Sequence, residues 1–529
     1  MSEPWAVPGQ PAGPTLADLD EDQRYARFDH LQAGMADVWN AMRLNRVGES
    51  VVVLPSVTLD RVTAGSGALT QAMEERFLFL LLLLRQPRLQ MVYITSMPIR
   101  PTIVEYYLAL LPGVIPSHAS ARLQLVAVGD STPRSLSEKL LERPRLLRRI
   151  AELVPDRSLS HLLPYNTTPL ERDVALSLGI PMYGADPRLA DWGSKSGCRR
   201  LFAEEGVRHP LGHENLHTLE DVTTALLTMR AGEPAMRGAI VKLNEGVSGA
   251  GNAFVDLAGL SPPGSAAEAA EVAQRVQAMR LESPDVPLDG YVAKLAERGG
   301  IVEQHVTGAE VRSPSVQLRV LPGGEVELLS THDQLLGGPS GQSYLGAKFP
   351  ADFAYARSIS AEARTVGARL AKEGVLGRFA IDFVAVRRDD RDWDVFAIEI
   401  NLRKGGTTHP FLTLQFLTDG RYDADTGLFR TPAGAERHLV ATDHLESPSL
   451  RGLSVDDLFD IVARHGLHFD QARQTGVVLH MISSLTEHGR IGLTAVGDSP
   501  ADADRRHRQA EKILLQEAAV AAGDGPLLV

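Results

Sequence analysis

The chain has 529 residues, enough for about three domains of ordinary size. Hydrophobic residues make up 44% of it and charged residues 23%, close to the globular average, which excludes global disorder. Lys and Arg number 54 against 66 Asp and Glu, and the net charge of -12 disfavours a nucleic-acid partner. The single cysteine, Cys198, excludes an internal disulfide and a zinc site built on several cysteines, so the composition is typical of a reducing cytoplasm.

The two most unusual stretches near the N-terminus do not predict targeting. Residues 1–20 are rich in Pro, Gly and acidic residues, which predicts a flexible tail and lacks the pattern of a signal peptide. Residues 77–84 are apolar, but a bilayer crossing needs about 20 such residues. We therefore expect a cytoplasmic protein without a membrane partner, and a buried helix over residues 71–86.

Residues 21–190 alternate between helical and strand patterns. Helices are predicted over 21–48, over 71–86 and near 102–111, and short β-branched runs at 51–54, 91–95 and 123–128 predict strands. Continuous apolar strands that alternate with helices predict a doubly wound α/β domain with a parallel sheet. No G-x-G-x-x-G follows the first strand and no P-loop motif occurs in the chain, which disfavours nicotinamide and P-loop nucleotide binding.

The most informative segment is 377–410, where three polar side chains interrupt two apolar strands. Asp382 lies in the strand 379–386, while Glu399 and Asn401 lie in the strand 395–401. Residues i and i+2 share a strand face, so Glu399 and Asn401 point the same way and Asp382 can join them from the neighbouring strand. Buried carboxylates are costly unless they are satisfied, and Mg²⁺ prefers oxygen ligands of this kind. The pattern predicts a metal site; the alternative is a hydrogen-bonded polar network.

Two further patterns precede this segment. Lys242 interrupts the strand 238–244, and a loop containing Gly246, Gly249 and Gly251 follows at once. Glycines allow backbone N–H groups to turn toward an anion, to which the lysine adds positive charge. A second apolar strand, 300–306, contains Glu303, and Glu310 follows seven residues later.

The order of these motifs over residues 195–415 resembles the ATP-grasp superfamily, especially its carboxylate–amine ligases. The resemblance implies an α+β nucleotide domain over 191–440, with a small lobe (191–310) and a metal and substrate lobe (311–440). It implies that ATP and two Mg²⁺ ions are the cofactors, and that Mn²⁺ could replace Mg²⁺. It also implies the roles of individual residues: phosphate contacts by Lys195 and Lys242; a closing loop with Gly246, Gly249 and Gly251; an adenine hinge with Glu303, Gln304 and Val306; a ribose contact by Glu310; metal ligation by Asp382, Glu399 and Asn401; and a catalytic role for Arg403 near the acyl phosphate, alongside Lys242.

A narrower resemblance to the pheganomycin-type peptide ligases rests on residues 405–410, 314–317, 330–334 and 475–497, and it implies an extra C-terminal domain over 441–529. The implied reaction joins a carboxylate, activated as an acyl phosphate, to an amine of an amino acid, a peptide or another small molecule. A non-catalytic ATP-binding regulatory protein and an ATP-grasp kinase stay open as alternatives. Also open are a homodimer, which family members often form, and substrate contacts by His409, Asp333 and Gln334.

Two motifs point to other functions. His213 to His217 match H-E-x-x-H, but Pro210 and Gly212 precede them, and we expect a loop instead of the helix that a zinc protease requires. The arginine-rich run 143–149 could bind RNA or lipid; in an acidic chain we expect it to form a solvated helix face.

Overall fold

The computed structural model of the protein describes residues 16–44, 48–58, 67–246, 251–283, 286–337, 341, 343–388 and 392–523. The segment predicted to be a flexible tail lies mostly outside these residues, and the first described turn is a 3₁₀ helix at Leu16–Asp18. Among the described residues, no helix combines the length and apolarity that crossing a bilayer requires.

The first part of the chain is the predicted parallel α/β unit, with helices packed around a sheet. Its described strands are ordered β3-β2-β1-β4 and all pairings are parallel. The prediction of a doubly wound parallel sheet is thus confirmed, although β4 was missed because its short apolar run carries no β-branched residue. The elements are β1 (Glu49–Leu54), β2 (Leu89–Thr95), β3 (Leu123–Ala127), β4 (Ser160–Pro164), α1 (Glu21–Gln32), α2 (Met35–Leu44), α3 (Gly67–Glu75), α4 (Pro101–Ala109), α5 (Pro116–Ser120), α6 (Leu136–Leu141), α7 (Pro144–Glu152) and α8 (Pro169–Leu178).

Two predicted helices of this unit differ from expectation. The helix expected over 21–48 divides into α1 and α2, with the break at residues 33–34. The helix expected over 71–86 ends at Glu75, and a separate 3₁₀ helix covers Leu78–Arg85. This run has apolar side chains on every face, so it can be enclosed on all sides, and the narrower 3₁₀ form fits between α4 and its other neighbours.

A small antiparallel lobe follows, with the strand order β5-β9-β6-β7-β8 and its own apolar core. The segment His213 to His217 was expected to be a loop, but all of it except His217 belongs to strand β5, in which Gly212, His213 and Leu216 pair with β9. Asn215 has a positive φ of 58°, which marks the irregularity in that pairing. The elements are α9 (Lys195–Glu204), β5 (Gly212–Leu216), α10 (Leu219–Gly232), β6 (Gly238–Leu243), β7 (Asn252–Asp256), α11 (Glu268–Gln277), β8 (Arg280–Leu281), α12 (Leu288–Arg298) and β9 (Gly300–Gln304).

The rest of the chain builds one large antiparallel sheet, ordered β10-β14-β11-β12-β13-β18-β20-β19, with β15 on the other side of β14. The elements before residue 438 are β10 (Glu310–Arg312), β11 (Pro314–Val320), β12 (Val326–Gly337), β13 (Ser343–Phe349), α13 (Phe353–Lys372), β14 (Gly377–Arg387), β15 (Trp393–Asn401), α14 (Thr408–Thr418), β16 (Arg421–Asp423) and β17 (Leu428–Arg430). The later elements are β18 (His438–Glu446), α15 (Val455–Arg464), β19 (Gly476–His480), α16 (Leu485–His488), β20 (Arg490–Gly497) and α17 (Pro500–Ala521).

The C-terminal strands continue this sheet: β18 pairs with β13, with Lys348 opposite Val440. The predicted antiparallel pairing of the strands around 476–482 and 491–494 is confirmed as β19 and β20. Their connection holds α16 instead of a tight turn, because the connecting residue Ser483 is held by hydrogen bonds to Glu75. The domain limits at 190/191, 310/311 and 440/441 stay predictions.

One apolar cluster runs through the parallel unit, α14 and the C-terminal elements. It includes Tyr107, Phe411 and Leu479, all with at most 2% of their surface exposed, and the Tyr107 hydroxyl donates to the Leu479 carbonyl at 3.0 Å. The elements that surround the large sheet are therefore packed into a common core, which fixes the position of the N-terminal unit beside it.

Replacement of Gly346 by Ala tests the joint between β13 and β18. A β-carbon at Gly346 would lie 2.1 Å from the Ala441 carbonyl oxygen, so the two strands would have to separate. We expect a lower melting temperature and a loss of about 1–3 kcal/mol in the free energy of unfolding, as for other overpacking substitutions. Gly323→Ala is the matched control, because no atom lies within 4 Å of the added carbon. Equal stability of the two variants would contradict the pairing.

Candidate active site

A cleft of about 320 Å³ opens where the small lobe, the large sheet and the N-terminal unit meet. It brings together most of the residues that the sequence predicted, although they come from five separate parts of the chain. The predicted residues that line it are Lys195, Lys242, Gly246, Gly251, Glu303, Gln304, Val306, Asp382, Glu399, Asn401 and Arg403. The remaining predicted residues are Gly249, which lies outside the described residues, and Glu310.

The acidic pair sits on adjacent strands, as predicted. Asp382 on β14 is directly opposite Glu399 on β15, and Asn401 follows on the same face. The Asn401 amide donates to Asp382 Oδ2 and to Glu399 Oε1, both at 3.0 Å. The three oxygen-bearing side chains therefore converge on one point, and their chemistry fits a hard divalent cation that takes one or two carboxylates.

Burial sets the electrostatics of this group. It raises the pKa of the Asp382 carboxyl, while a hydrogen bond from Ser315 and the charge of Lys195 act in the opposite direction. Lys195 forms an ion pair with Glu399, and burial lowers the pKa of its ammonium group to about 8. Because Lys195 is buried and Asp382 and Glu399 are partly so, each charge depends on its neighbours.

Lys195 is positioned by the start of α9. Ser194 caps this helix by accepting a hydrogen bond from the Gly197 N–H at 2.9 Å, and a β-carbon at Gly197 would lie only 1.8 Å from the Asp191 carbonyl oxygen. The Lys195 N–H donates to the Asn244 carbonyl at 3.2 Å. The helix with the first lysine is thereby tied to the end of β6, the strand with the second lysine.

Lys242 forms an ion pair with Glu303, which lies on the paired strand β9. Arg199 also approaches this carboxylate, with Nη1 3.6 Å from Glu303 Oε2, and its Nε donates to Glu214 at 2.6 Å. Glu303 is only 2% exposed, so two cations compensate its burial. Arg199 was not predicted; the clue is that it follows Lys195 by one helical turn and so faces the same side.

Glu310 is not brought to the cleft in the described structure. It lies on β10 and forms ion pairs with Arg312 and with Arg387 of β14. Of the residues whose substrate contacts were left open, Gln334 lines the cleft. Asp333 instead accepts hydrogen bonds from the Tyr355 hydroxyl at 2.6 Å and from the Asp352 N–H at 2.9 Å.

The far wall of the cleft comes from the N-terminal unit, which supplies Met73, Arg76 and Tyr165. Arg76 pairs with Asp443 of β18 at 2.7 Å, and both side chains are buried. Arg403 faces the same space, and within the described residues it forms no ion pair, so its charge is available to a ligand. Arg76 was missed because its partner is 367 residues away; the clue is three charged residues, 74–76, before an apolar run.

Behind Arg76 lies a buried group of His409, Asp443 and His480. Asp443 Oδ1 is 2.8 Å from His480 Nε2 and 3.2 Å from His409 Nε2, and the two nitrogens are 3.0 Å apart. Two imidazoles and a carboxylate could hold a metal ion, but the second oxygen of Asp443 is already neutralised by Arg76. We therefore interpret the group as the support of that arginine.

Comparison with known proteins gives concordant results. The profile of the family described as IQCH-like, ATP-grasp matches residues 187–284 and 287–425, and the profile described as PGM1 C-terminal domain matches residues 457–510. An L-propargylglycine–L-glutamate ligase of Streptantibioticus cattleyicolor is 30% identical over 449 residues, which are 83% of this chain and 89% of that protein.

Solved structures resemble the fold at much lower identity. The biotin carboxylase domain of the Hydrogenobacter thermophilus 2-oxoglutarate carboxylase aligns with a TM-score of 0.52 and 13% identity, over 91% of this chain and 96% of that one. Campylobacter jejuni biotin carboxylase aligns with a TM-score of 0.51 and 12% identity, over 90% of this chain and 96% of that one.

A divalent cation should stabilise the protein through the Asp382 group. Mg²⁺ or Mn²⁺ would relieve the repulsion between Asp382 and Glu399, so we expect the cation to raise the melting temperature of the wild type but not of Asp382→Asn. Asp333→Asn is the control, since this carboxyl is also largely buried and has a raised pKa but lies outside the group. An undiminished cation effect in Asp382→Asn, measured by scanning calorimetry, would place the cation elsewhere.

Proposed function

The chain belongs to the ATP-grasp family, and on that premise we propose that it is an ADP-forming ligase that joins a carboxylate to an amine. The observation that carries this proposal is the composition of the cleft. One continuous space holds a strand end suited to adenine, two lysines, a carboxylate group suited to Mg²⁺, and an arginine without a carboxylate partner. A binding protein that does not turn over ATP would need no arginine at the place where the acyl phosphate forms.

The nucleotide end of the cleft is formed by residues 303–306 at the end of β9. The Gln304 N–H already donates to the Leu211 carbonyl at 2.7 Å, so the backbone of Val306 is the hinge group that we assign to an adenine ring. The phosphates would lie toward Lys195 and Lys242. Both lysines are held by carboxylates in the free protein. The phosphates of ATP would replace these carboxylates as partners of the two lysines. The buried positive charges would therefore stay compensated when the nucleotide binds.

Magnesium fits the donor set of Asp382, Glu399 and Asn401, and when bound it would neutralise charge on the phosphate oxygens. We propose two ions, for which Mn²⁺ could substitute. In this arrangement the Asn401 amide, which here bridges the two carboxylates, would instead offer its oxygen. Ser315 would keep Asp382 in place through its hydrogen bond.

The chemistry requires positioning and charge stabilisation more than a nucleophile from the protein. A substrate carboxylate oxygen attacks the γ-phosphorus of ATP, the bond to ADP breaks, and an acyl phosphate results. The amine then attacks the acyl carbon, phosphate leaves, and the amine loses a proton to give the amide. Arg403 would face the acyl phosphate, and Lys195 and Lys242 would offset the charge on the transferred group.

Amino acids or peptides are the proposed substrates. The ligase from Streptantibioticus cattleyicolor is named for two amino acids, which makes L-glutamate a rational first substrate to test. By analogy with other members of the family we also propose that the protein forms a homodimer in the cytoplasm. We propose no nucleic-acid or membrane partner.

Incubation with ATP, Mg²⁺, L-glutamate and a panel of amino acids should release ADP and phosphate and form an amide, and hydroxylamine should trap a hydroxamate. We expect Lys242→Ala to lower kcat/KM at least about 100-fold, because it removes transition-state charge stabilisation. Arg85→Gln, on the N-terminal unit away from the cleft, serves as a control. AMP as the product would contradict the proposal, a phosphorylated product without an amide would indicate a kinase, and binding without turnover would indicate a regulatory protein.

Nucleotide affinity should depend on pH through Lys195. Its pKa of about 8 leaves the ammonium charged below pH 8 and neutral above it, so the attraction for phosphate is present at pH 7 and lost as the pH rises. The Kd of a non-hydrolysable ATP analogue should therefore increase between pH 7 and 9.5. In Lys195→Arg the charge persists throughout this window, and the Kd should stay level. A parallel pH dependence in both proteins would assign the titration to another group.

A further inference from the structure

The end of the cleft next to Arg403 has the features of an anion site that ATP does not use. Gly405, Gly406 and Thr407 line it and lead directly into α14, an eleven-residue helix. A β-carbon at Gly405 would lie 3.9 Å from Arg403 Nη1, which places this end beside the proposed acyl phosphate position. Any group bound here would therefore be adjacent to the reacting atoms.

The first helical turn of α14 presents unused donors to this space. Thr407 occupies the N-cap, but its side chain makes no capping hydrogen bond. Among the described residues, neither the Gly406 nor the Thr407 backbone N–H donates a hydrogen bond. Free N–H groups at a helix N-terminus, together with the positive end of the helix dipole, favour a negatively charged ligand.

Arg76 is an independent indication of the same ligand chemistry. It lines this end of the cleft although only 5% of its surface is exposed, and one of its five N–H donors, on Nη1, is bonded to Asp443. Its Nε is closed off from the cleft and has no hydrogen-bond partner, whereas Nη2 is not sealed in this way and donates no hydrogen bond to the described residues. A guanidinium with unused donors is suited to a planar carboxylate, which it can bind with two parallel hydrogen bonds.

The arginine and the helix are held in a fixed relation to each other. Asp443, which orients Arg76, is itself held by His480 and by His409, and His409 belongs to the first turn of α14. The ring of Tyr344 packs against Gly406, where a β-carbon would lie 2.5 Å from it. Asp443 is therefore a positioning residue, and the donors of the helix and of the arginine are preorganised for one ligand group.

We propose that Arg76 and the N-terminus of α14 bind a substrate carboxylate that does not react. The inference rests on the proposed ligase function and restricts its substrates, because one of the two must carry a second, free carboxylate. This group belongs to the α-amino acid that supplies the amine or to a dicarboxylic acyl donor, and the two sources share the same recognition chemistry.

Binding measurements on intact protein separate these sources. With a non-hydrolysable ATP analogue and Mg²⁺ present, isothermal titration compares L-alanine with L-alaninamide, and L-glutamate with 4-aminobutyrate, which lacks the α-carboxylate. We expect the wild type to favour the free carboxylate in one of the two pairs, and Arg76→Gln to lower that affinity about 10- to 100-fold. The ligands without the second carboxylate should bind both proteins equally, and Arg85→Gln should resemble the wild type.

A second variant keeps the test decisive if Arg76→Gln unfolds because Asp443 loses its partner. Arg76→Lys retains the charge and should lose part of the preference for the carboxylate. Unchanged carboxylate preference in folded Arg76→Lys or Arg76→Gln would overturn the inference even if ligase turnover is normal. Carboxylate-dependent binding without turnover would instead contradict the ligase function and leave this site standing.

Discussion

The organisation of this protein depends on the need to compensate charges that are removed from water. Lys195 and Lys242 are both at most 9% exposed, and each finds a carboxylate, Glu399 or Glu303, on a neighbouring strand. An unpaired charge at such depth would cost several kcal/mol. Lys242 and Glu303 lie on the paired strands β6 and β9, whereas Lys195 reaches Glu399 of β15 from the start of helix α9. Both lysines are therefore compensated in the free cleft.

The same principle connects parts of the chain that are distant in sequence. Arg76 and Asp443 form a buried ion pair across 367 residues, and the apolar cluster around Tyr107 and Leu479 surrounds that contact. The N-terminal unit thus forms a wall of the cleft in its own right. A substrate that enters is enclosed by the small lobe, the large sheet and this wall, and such enclosure excludes water from an acyl phosphate.

The local sequence pattern predicted much of the cleft. The features that it failed to predict depend on contacts between distant parts of the chain. The i, i+2 rule placed Glu399 and Asn401 on one face without knowledge of the fold, and the motif order identified the two lysines. The charged residues 74–76 before an apolar run are a clue to Arg76, but no local pattern reveals its partner Asp443, which is 367 residues away. The ribose contact of Glu310 stays a prediction; in the structure without nucleotide this residue of β10 forms ion pairs with Arg312 and Arg387. His213 was placed in a loop because Pro and Gly precede it, whereas pairing with β9 makes that segment a strand.

The continuity of the large sheet has a consequence for synthesis of the protein. Strand β13 ends at Phe349, and its partner β18 begins only at His438; β18 in turn pairs with β20, which ends at Gly497. As the chain leaves the ribosome, the edge of β13 that pairs with β18 stays without this partner for that interval, while Asp382 on β14 and Glu399 on β15 have already emerged. Exposed strand edges invite wrong pairings, so this edge is a point at which the incomplete chain is prone to misfold.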